Sequence, residues 1–264
     1  RAEVTLANGH QMHADLILGA DGIKSVIRNQ MCGTQSPRFT GNIAWRAVVP
    51  MAQLVNHPPP PTACVWVGEA KHAVTYQLRG GKLANFVGVV ERTDWQEESW
   101  TAQGTRAAAL ADFADWHPVI TQLIEKADTH YCWALFDRDP LDSWVDGRVA
   151  LLGDACHPML PFMAQGAVQA LEDAYVLAES LSHTADIRTG LKEYETSRRP
   201  RTSKVQALAR TNAKLFHRRH LVAKLATYGP LWLAGKISPD IIDKQFAWLY
   251  GHDVTRLHEK PDFR

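Results

Sequence analysis

Gly147-Arg148-Val149-Ala150-Leu151-Leu152-Gly153-Asp154-Ala155-Cys156-His157-Pro158 is the stretch on which the fold turns. Its apolar run from Val149 to Leu152 has the pattern of a buried strand, which in parallel sheets is covered on both faces. The strand delivers Gly153-Asp154 at its C-terminal end, where open α/β sheets bind ligands. Gly153 lets the backbone approach a ligand closely, and Asp154 supplies a carboxylate that can accept from sugar-type hydroxyls. Downstream, Pro161-Phe162-Met163-Ala164-Gln165-Gly166-Ala167 runs into a helical pattern that reaches about Leu181. The free N–H groups and positive dipole of that helix start suit an anionic ring or oxyanion.

Further towards the N-terminus the same grammar recurs. Leu16-Ile17-Leu18 reads as another strand of the parallel kind, ending in Gly19-Ala20-Asp21-Gly22, with a helix starting at Ser25-Val26-Ile27-Arg28. Residues 3–6 alternate and lead into an Asn8-Gly9 turn. Between the two α/β pieces lie short β-like runs at 43–49, 64–67, 73–78 and 83–90, the last two joined by a hairpin signal at Arg79-Gly80-Gly81-Lys82. Helices are expected over 104–115 and 118–126, a strand over 133–136, and long helices over most of 187–226. The fold class is therefore α/β. A Rossmann-like domain is made of 1–35 and 140–185, a mixed β-sheet domain covering 36–139 is inserted into it, and 186–264 form a helical C-terminal tail.

Composition narrows the function classes. The 264 residues are 45% hydrophobic and 22% charged, with a net charge of +1, so bulk electrostatics offers no reason to expect nucleic acid or an acidic membrane as partner. Cys32, Cys64, Cys132 and Cys156 are scattered without a CxxC pair, which points to a reducing compartment and to no metal centre. No apolar run of about eighteen residues and no signal segment is visible, so a cytoplasmic protein is expected. The chain starts at Arg1, inside a strand, and is expected to be a fragment.

The Gly153-Asp154 segment resembles the Gly-Asp motif of class A FAD-dependent aromatic hydroxylases, specifically the salicylate hydroxylase and 3-hydroxybenzoate 6-hydroxylase branch. The segment Ala14 to Arg28 resembles the family's Asp-Gly motif. Tyr194, Arg198, Arg199, Pro200, Arg201 and Asn212, and Trp248 to Asp253, are similar to its C-terminal helices. The resemblance covers essentially the whole chain. It implies that Gly153 and Asp154 hold the ribityl chain of FAD, and that Pro161, Gly166 and Ala167 cradle the pyrimidine side of the flavin ring. It places Asp21 and Gly22 between FAD and a nicotinamide donor, NADH or NADPH. The Gly-x-Gly-x-x-Gly turn of that family is absent. This implies that the first βαβ units are missing, roughly a hundred residues at about thirty per unit, and that FAD binds weakly.

The substrate side rests on His72-Ala73-Val74-Thr75-Tyr76. Residues four apart in a strand point to one face, so His72 and Tyr76 can look into one pocket and relay a phenolic proton. The same His-x-x-x-Tyr pattern occurs in the branch named above. There it implies contact with the substrate hydroxyl, with Gln165 facing the gap between flavin and substrate and Phe162 walling it. The implied reaction is hydroxylation of a small phenolic acid of the salicylate type with NAD(P)H and O2. Alternatives are 3-hydroxybenzoate, a hydroxypyridine carboxylate, a non-catalytic FAD- or aromatic-binding protein, or an inactive fragment.

Simpler readings stand beside these. Asp154 could cap the next helix, Asp21 could shape its turn, and His72 and Tyr76 could be ordinary half-buried strand residues. Cys156-His157 invites a nucleophile–base reading, but no third partner is visible. The arginines from Arg198 to Arg219 read as the solvated face of amphipathic helices rather than a nucleic-acid surface. The tail could also dock a second subunit as a homodimer.

Overall fold

The computed structural model describes residues 1–94, 101–237 and 240–256. The strands are Ala2–Thr5 (β1), Gln11–Ala14 (β2), Ile17–Gly19 (β3), Arg38–Pro50 (β4), Cys64–Gly68 (β5), Lys71–Leu78 (β6), Leu83–Glu91 (β7), Tyr131–Asp137 (β8), Val145–Asp146 (β9) and Val149–Leu151 (β10). The helices are Val26–Cys32 (α1), Arg106–Asp112 (α2), Pro118–Lys126 (α3), Gly166–Ser182 (α4), Ile187–Phe216 (α5), Leu221–Ile237 (α6) and Asp240–Tyr250 (α7). The described residues fall into two compact units. The first takes those of Arg1–Pro37, Asp137–Asn212 and Pro230–Arg264; the second takes those of Arg38–Phe136 and Ala213–Gly229.

In the first unit, β10 pairs in parallel with β3, Val149 opposite Ile17, and antiparallel with β9. Gly19 packs closely where β3 meets its neighbours, since a Cβ there would lie 2.7 Å from the Leu151 side chain and 3.1 Å from that of Ile27 and would make them shift. The expectation that β3 is covered on both faces is corrected among the described residues: Leu18 is 43% exposed, because none of the described elements packs over its face. α1 starts where the sequence places it, with Ser25 Oγ accepting from Arg28 N at 2.9 Å.

The arginines of α5 need a larger correction. Its buried positions are Gly190, Leu191, Tyr194, Glu195, Arg198, Thr202, Val205, Gln206, Ala209 and Asn212, the three- and four-residue spacing of a helix stripe turned inward. Arg198 belongs to that stripe and is 2% exposed. A stripe interrupted by arginine and glutamine does not look apolar, so it reads from sequence as a solvated face.

The second unit is built on the sheet β5-β6-β7-β4-β8. The β5–β6, β6–β7 and β7–β4 pairs are antiparallel. The hairpin signal at 79–82 joins β6 to β7, with Leu78 opposite Leu83. One face carries Ile43, Trp45, Ala47, Val49, Ala73, Ala84 and Phe86 into a core with Ala109 of α2, Phe113 just after it, and Ile120, Leu123 and Ile124 of α3. Gly88 leaves room for that core, since a Cβ would stand 2.5 Å from the Phe113 and Phe86 rings. Alternation and register put His72, Val74 and Tyr76 of β6 beside Val89, Val87 and Asn85 of β7 on the opposite face. Among the described residues, no helix is long and apolar enough to cross a membrane.

Candidate functional site

The Gly-Asp turn follows from the backbone of Gly153. Its φ of +61° is the left-handed region that glycine enters freely, and its carbonyl accepts from both Cys156 N and His157 N at 2.9 Å. A Cβ at this position would also come within 3.1 Å of Ala170 on α4. The turn is clamped from beneath by Asp173, whose Oδ2 accepts from Gly153 N at 3.0 Å and from His157 Nε2 at 2.5 Å. Arg198 then binds Asp173 Oδ1 at 2.8 Å, Glu172 Oε2 at 2.5 Å and Gln169 Oε1 at 2.7 Å. Burial by itself raises the carboxyl of Asp173, but His157 and Arg198 hold it below its ordinary value. This buried ionic cluster escapes a sequence reading, because the partners it joins across elements lie 16 to 29 positions apart; the arginine string singled out by resemblance is the one signal for it.

Asp154 has the opposite environment. It is exposed, burial of its surroundings raises its carboxyl, and the nearby His157 only partly offsets that. No hydrogen bond supports its charge, so it does not cap a helix. Its Oδ1 faces Gly166, 4.0 Å from where a Cβ would sit. The start of α4 is approached through a short turn at Pro161–Met163 and Ala164, a left-handed residue with φ +52°. Gln165 is the N-cap residue, but its side chain makes no capping bond, so the first N–H groups from Gly166 onwards have no side-chain partner there. Gln165 is buried and its Oε1 accepts from Gln169 Nε2 at 3.1 Å. Phe162 is also buried, whereas Pro161 and Ala167 are exposed.

Asp21 does shape its turn: its Oδ2 accepts from Val26 N at 2.8 Å and Ile27 N at 3.3 Å, at the head of α1. Burial raises its carboxyl, but hydrogen bonds from Ser25 and the helix N–H groups bring it below the ordinary value. Gly22 beside it has φ +78° and open space where a Cβ would point. Cys156 is no thiolate: burial, with Asp173 adding to it, pushes its thiol well up, and His157 turns to Asp173 instead. No metal-binding group of His, Cys, Asp and Glu exists among the described residues.

In the second unit, His72 is 1% exposed and its Nδ1 lies 2.7 Å from Nε2 of His217, with the Phe216 ring 5.1 Å away. Tyr76 is half-buried on the same face. Directly opposite Tyr76 stands Asn85, 1% exposed, with neither amide atom hydrogen-bonded. Nothing in the sequence distinguishes Asn85 from an ordinary strand residue. A buried amide without a partner destabilises a fold by about 1–3 kcal/mol. Asn85→Leu is therefore expected to raise stability by about that amount, read as a higher urea midpoint. An unchanged or lower midpoint would mean the amide is satisfied in solution.

Comparison with known proteins gives the family of the chain. The profile of the FAD binding domain family matches residues 1–209. The chain is 38% identical over 253 residues to 3-amino-4-hydroxybenzoate 2-monooxygenase PtmB3 of Streptomyces platensis, covering 94% of this chain and 61% of that protein. It is 34% identical over 260 residues to 3-hydroxybenzoate 6-hydroxylase 1 of Aquipseudomonas alcaligenes, covering 98% and 65%. Among solved structures, a salicylate hydroxylase substrate complex superposes with a TM-score of 0.75 at 29% identity, covering 99% of this chain and 68% of that one. The chain thus spans about 61% of PtmB3 and 65% of the hydroxybenzoate enzyme. With most of its length matched by the family profile, the chain belongs to the FAD binding domain family, that of FAD-dependent aromatic monooxygenases.

Proposed function

We propose that this chain forms the flavin-ribityl and phenol-binding part of an NAD(P)H-dependent monooxygenase that hydroxylates a hydroxybenzoate. The observation that carries the flavin half is Asp154, a carboxylate exposed beside an uncapped helix start with no hydrogen bond of its own. Such a carboxylate suits the hydroxyls of the ribityl chain, and the N–H groups of α4 suit the electron-rich edge of the flavin ring. Gly153, Pro161, Gly166 and Ala167 complete that cradle, and Asp21 with Gly22 borders the nicotinamide side. When bound, FAD supplies hydride acceptance from NADH or NADPH and the activation of O2.

The substrate half is assigned to the sheet face bearing His72, Tyr76 and Asn85. His72, kept neutral by burial and by His217, which bring its pKa down to about 3, can take the phenolic proton that makes the ring nucleophilic. Tyr76 and the Asn85 amide offer hydrogen bonds to polar ring substituents. Gln165, buried and bonded to Gln169, acts by holding the start of α4.

The relatives named above act on hydroxylated and amino-hydroxylated benzoates. That ranks 3-hydroxybenzoate ahead of the salicylate-type substrate expected from sequence. With FAD in excess, NADH and NADPH oxidation is followed as 3-hydroxybenzoate, salicylate and 6-hydroxynicotinate are added in turn. Stimulation by 3-hydroxybenzoate with a dihydroxybenzoate product is the expected result. Flavin binding with no stimulation by any aromatic would sink the substrate reading, and stimulation by salicylate with release of carbon dioxide would restore the earlier order.

A further inference from the structure

Behind His72 the hydrogen bonding continues outward. His217 Nε2 lies 2.7 Å from His72 Nδ1, and His217 Nδ1 lies 3.1 Å from Glu91 Oε1. The other Glu91 oxygen is ion-paired with Arg219. The side chain of His217 is 3% exposed, that of Glu91 33% and that of Arg219 57%, so the chain of contacts runs from a buried imidazole to solvent. Three elements supply it: β6 gives His72, β7 gives Glu91, and the turn after α5 gives His217 and Arg219.

The tautomers follow from the partners. A carboxylate can only accept, so His217 donates Nδ1–H to Glu91. Burial lowers the pKa of both imidazoles, with Glu91 partly offsetting the effect at His217, so both are neutral near pH 7. A neutral His217 that is protonated on Nδ1 must accept at Nε2. His72 therefore carries its proton on Nδ1 and its lone pair on Nε2. Water favours the other tautomer of histidine only weakly, and one such hydrogen bond suffices to invert it.

We propose that His72, His217 and Glu91 form a proton relay that carries the phenolic proton of the substrate to solvent. The inference rests on the substrate reading above. The phenol O–H bond breaks as His72 Nε2 takes the proton. The Nδ1 proton of His72 moves to His217 Nε2, and the Nδ1 proton of His217 leaves through Glu91 to water. The net change is phenol to phenolate plus one proton in solvent, with no electron moved. A buried imidazole with a low pKa is a poor final acceptor, and passing the charge to an imidazole beside a carboxylate removes that difficulty. The charged groups around the pair are Glu91 and Arg219, with Glu69 acting on Arg219 and paired with Lys224 at 3.8 Å.

His217 and Glu91 are positioning and relay residues, so the test reads the proton as well as the rate. Nitrogen-15 spectra of the imidazoles in the full chain at pH 7 are expected to show His72 protonated on Nδ1, and His217→Phe is expected to shift it towards Nε2. In the FAD-supplemented assay, Glu91→Gln is expected to lower kcat by about 100-fold, within the range of acid–base catalysis, with KM little changed. Glu91→Asp should recover most of that loss. His72 protonated on Nε2 in the wild-type chain, or an unaltered kcat in Glu91→Gln, overturns the relay. The expected tautomers without stimulation by any aromatic would instead overturn the substrate reading and leave the proton path standing.

Discussion

Arg198→Ala is expected to lower the stability of the chain by about 3–5 kcal/mol, the range for breaking a buried ion pair from one side. Arg198 is 2% exposed and is the cation that Asp173 and Glu172 share at 2.8 and 2.5 Å. Arg201 still reaches Glu172 at 2.8 Å after the substitution, but Asp173 keeps only His157 and the Gly153 N–H. An uncompensated carboxylate would remain in the core, beside the cavity left by the guanidinium. Thermal unfolding measures this, at about 2–4 °C for each kcal/mol in a chain of this size. Arg199→Ala is the control: its guanidinium bonds the Asp142 carbonyl at the surface, and its loss is expected to cost less than about 1 kcal/mol.

The same cluster sets the acid limb. Asp173 and Glu172 are both depressed from ordinary values of 3.8 and 4.5: burial raises them, and the hydrogen bonds and cations around them overcome that. A carboxylate with a depressed folded pKa adds stability that is complete above its unfolded value and is lost as pH falls through the folded one. Wild-type stability from this pair should thus hold down to about pH 4.5 and fade below it. In Arg198→Ala, Asp173 loses a partner that holds it down, so the acid transition moves to higher pH. An acid limb that stays in place would show that His157 and the backbone carry the carboxylate by themselves.

Much of this was legible because local rules act over short spans. The Val149–Gly153 strand and turn, the hairpin at 79–82, Ser25 at the head of α1 and Pro118 at the start of α3 each depend on a few adjacent residues. What resisted reading depends on distant partners. Leu18 lies in a run with the composition of a buried strand, yet its exposure is decided by which elements pack over its face. Arg198 looks solvated until Asp173 and Glu172, on another helix, are placed around it. His72 stands out in the sequence through its spacing to Tyr76, but its partner His217 sits 145 positions away in a stretch that reads as helical tail. Contacts divide that tail at Asn212 and Gly229, a break that periodicity within α5 and α6 does not announce. Asn85 was invisible because an orphaned amide is defined by the absence of neighbours.

Asp154→Asn is expected to weaken flavin binding without loss of stability, and the pair of measurements tells a ligand carboxylate from a structural one. Its carboxyl is raised by burial, offset only in part by His157, and has no hydrogen bond in the fold. A carboxylate whose folded pKa exceeds its unfolded value detracts from stability once pH rises through the folded pKa. Removing the charge at pH 7 should therefore leave stability unchanged or slightly higher. If Asp154 holds the ribityl hydroxyls of FAD, the same substitution removes charge-assisted hydrogen bonds of about 1.5–3 kcal/mol. Loss of such bonds weakens FAD binding by about 10- to 100-fold at 1.4 kcal/mol per tenfold. Asn retains one acceptor, so Asp154→Ala should show the larger part of that range and Asn the smaller. Quenching of FAD fluorescence gives the affinity and denaturant unfolding gives the stability. A helix cap or turn carboxylate would behave the other way, losing stability on substitution with flavin affinity unaltered. That pattern would move the flavin-ribityl contact away from Asp154 and onto the backbone N–H groups at the start of α4.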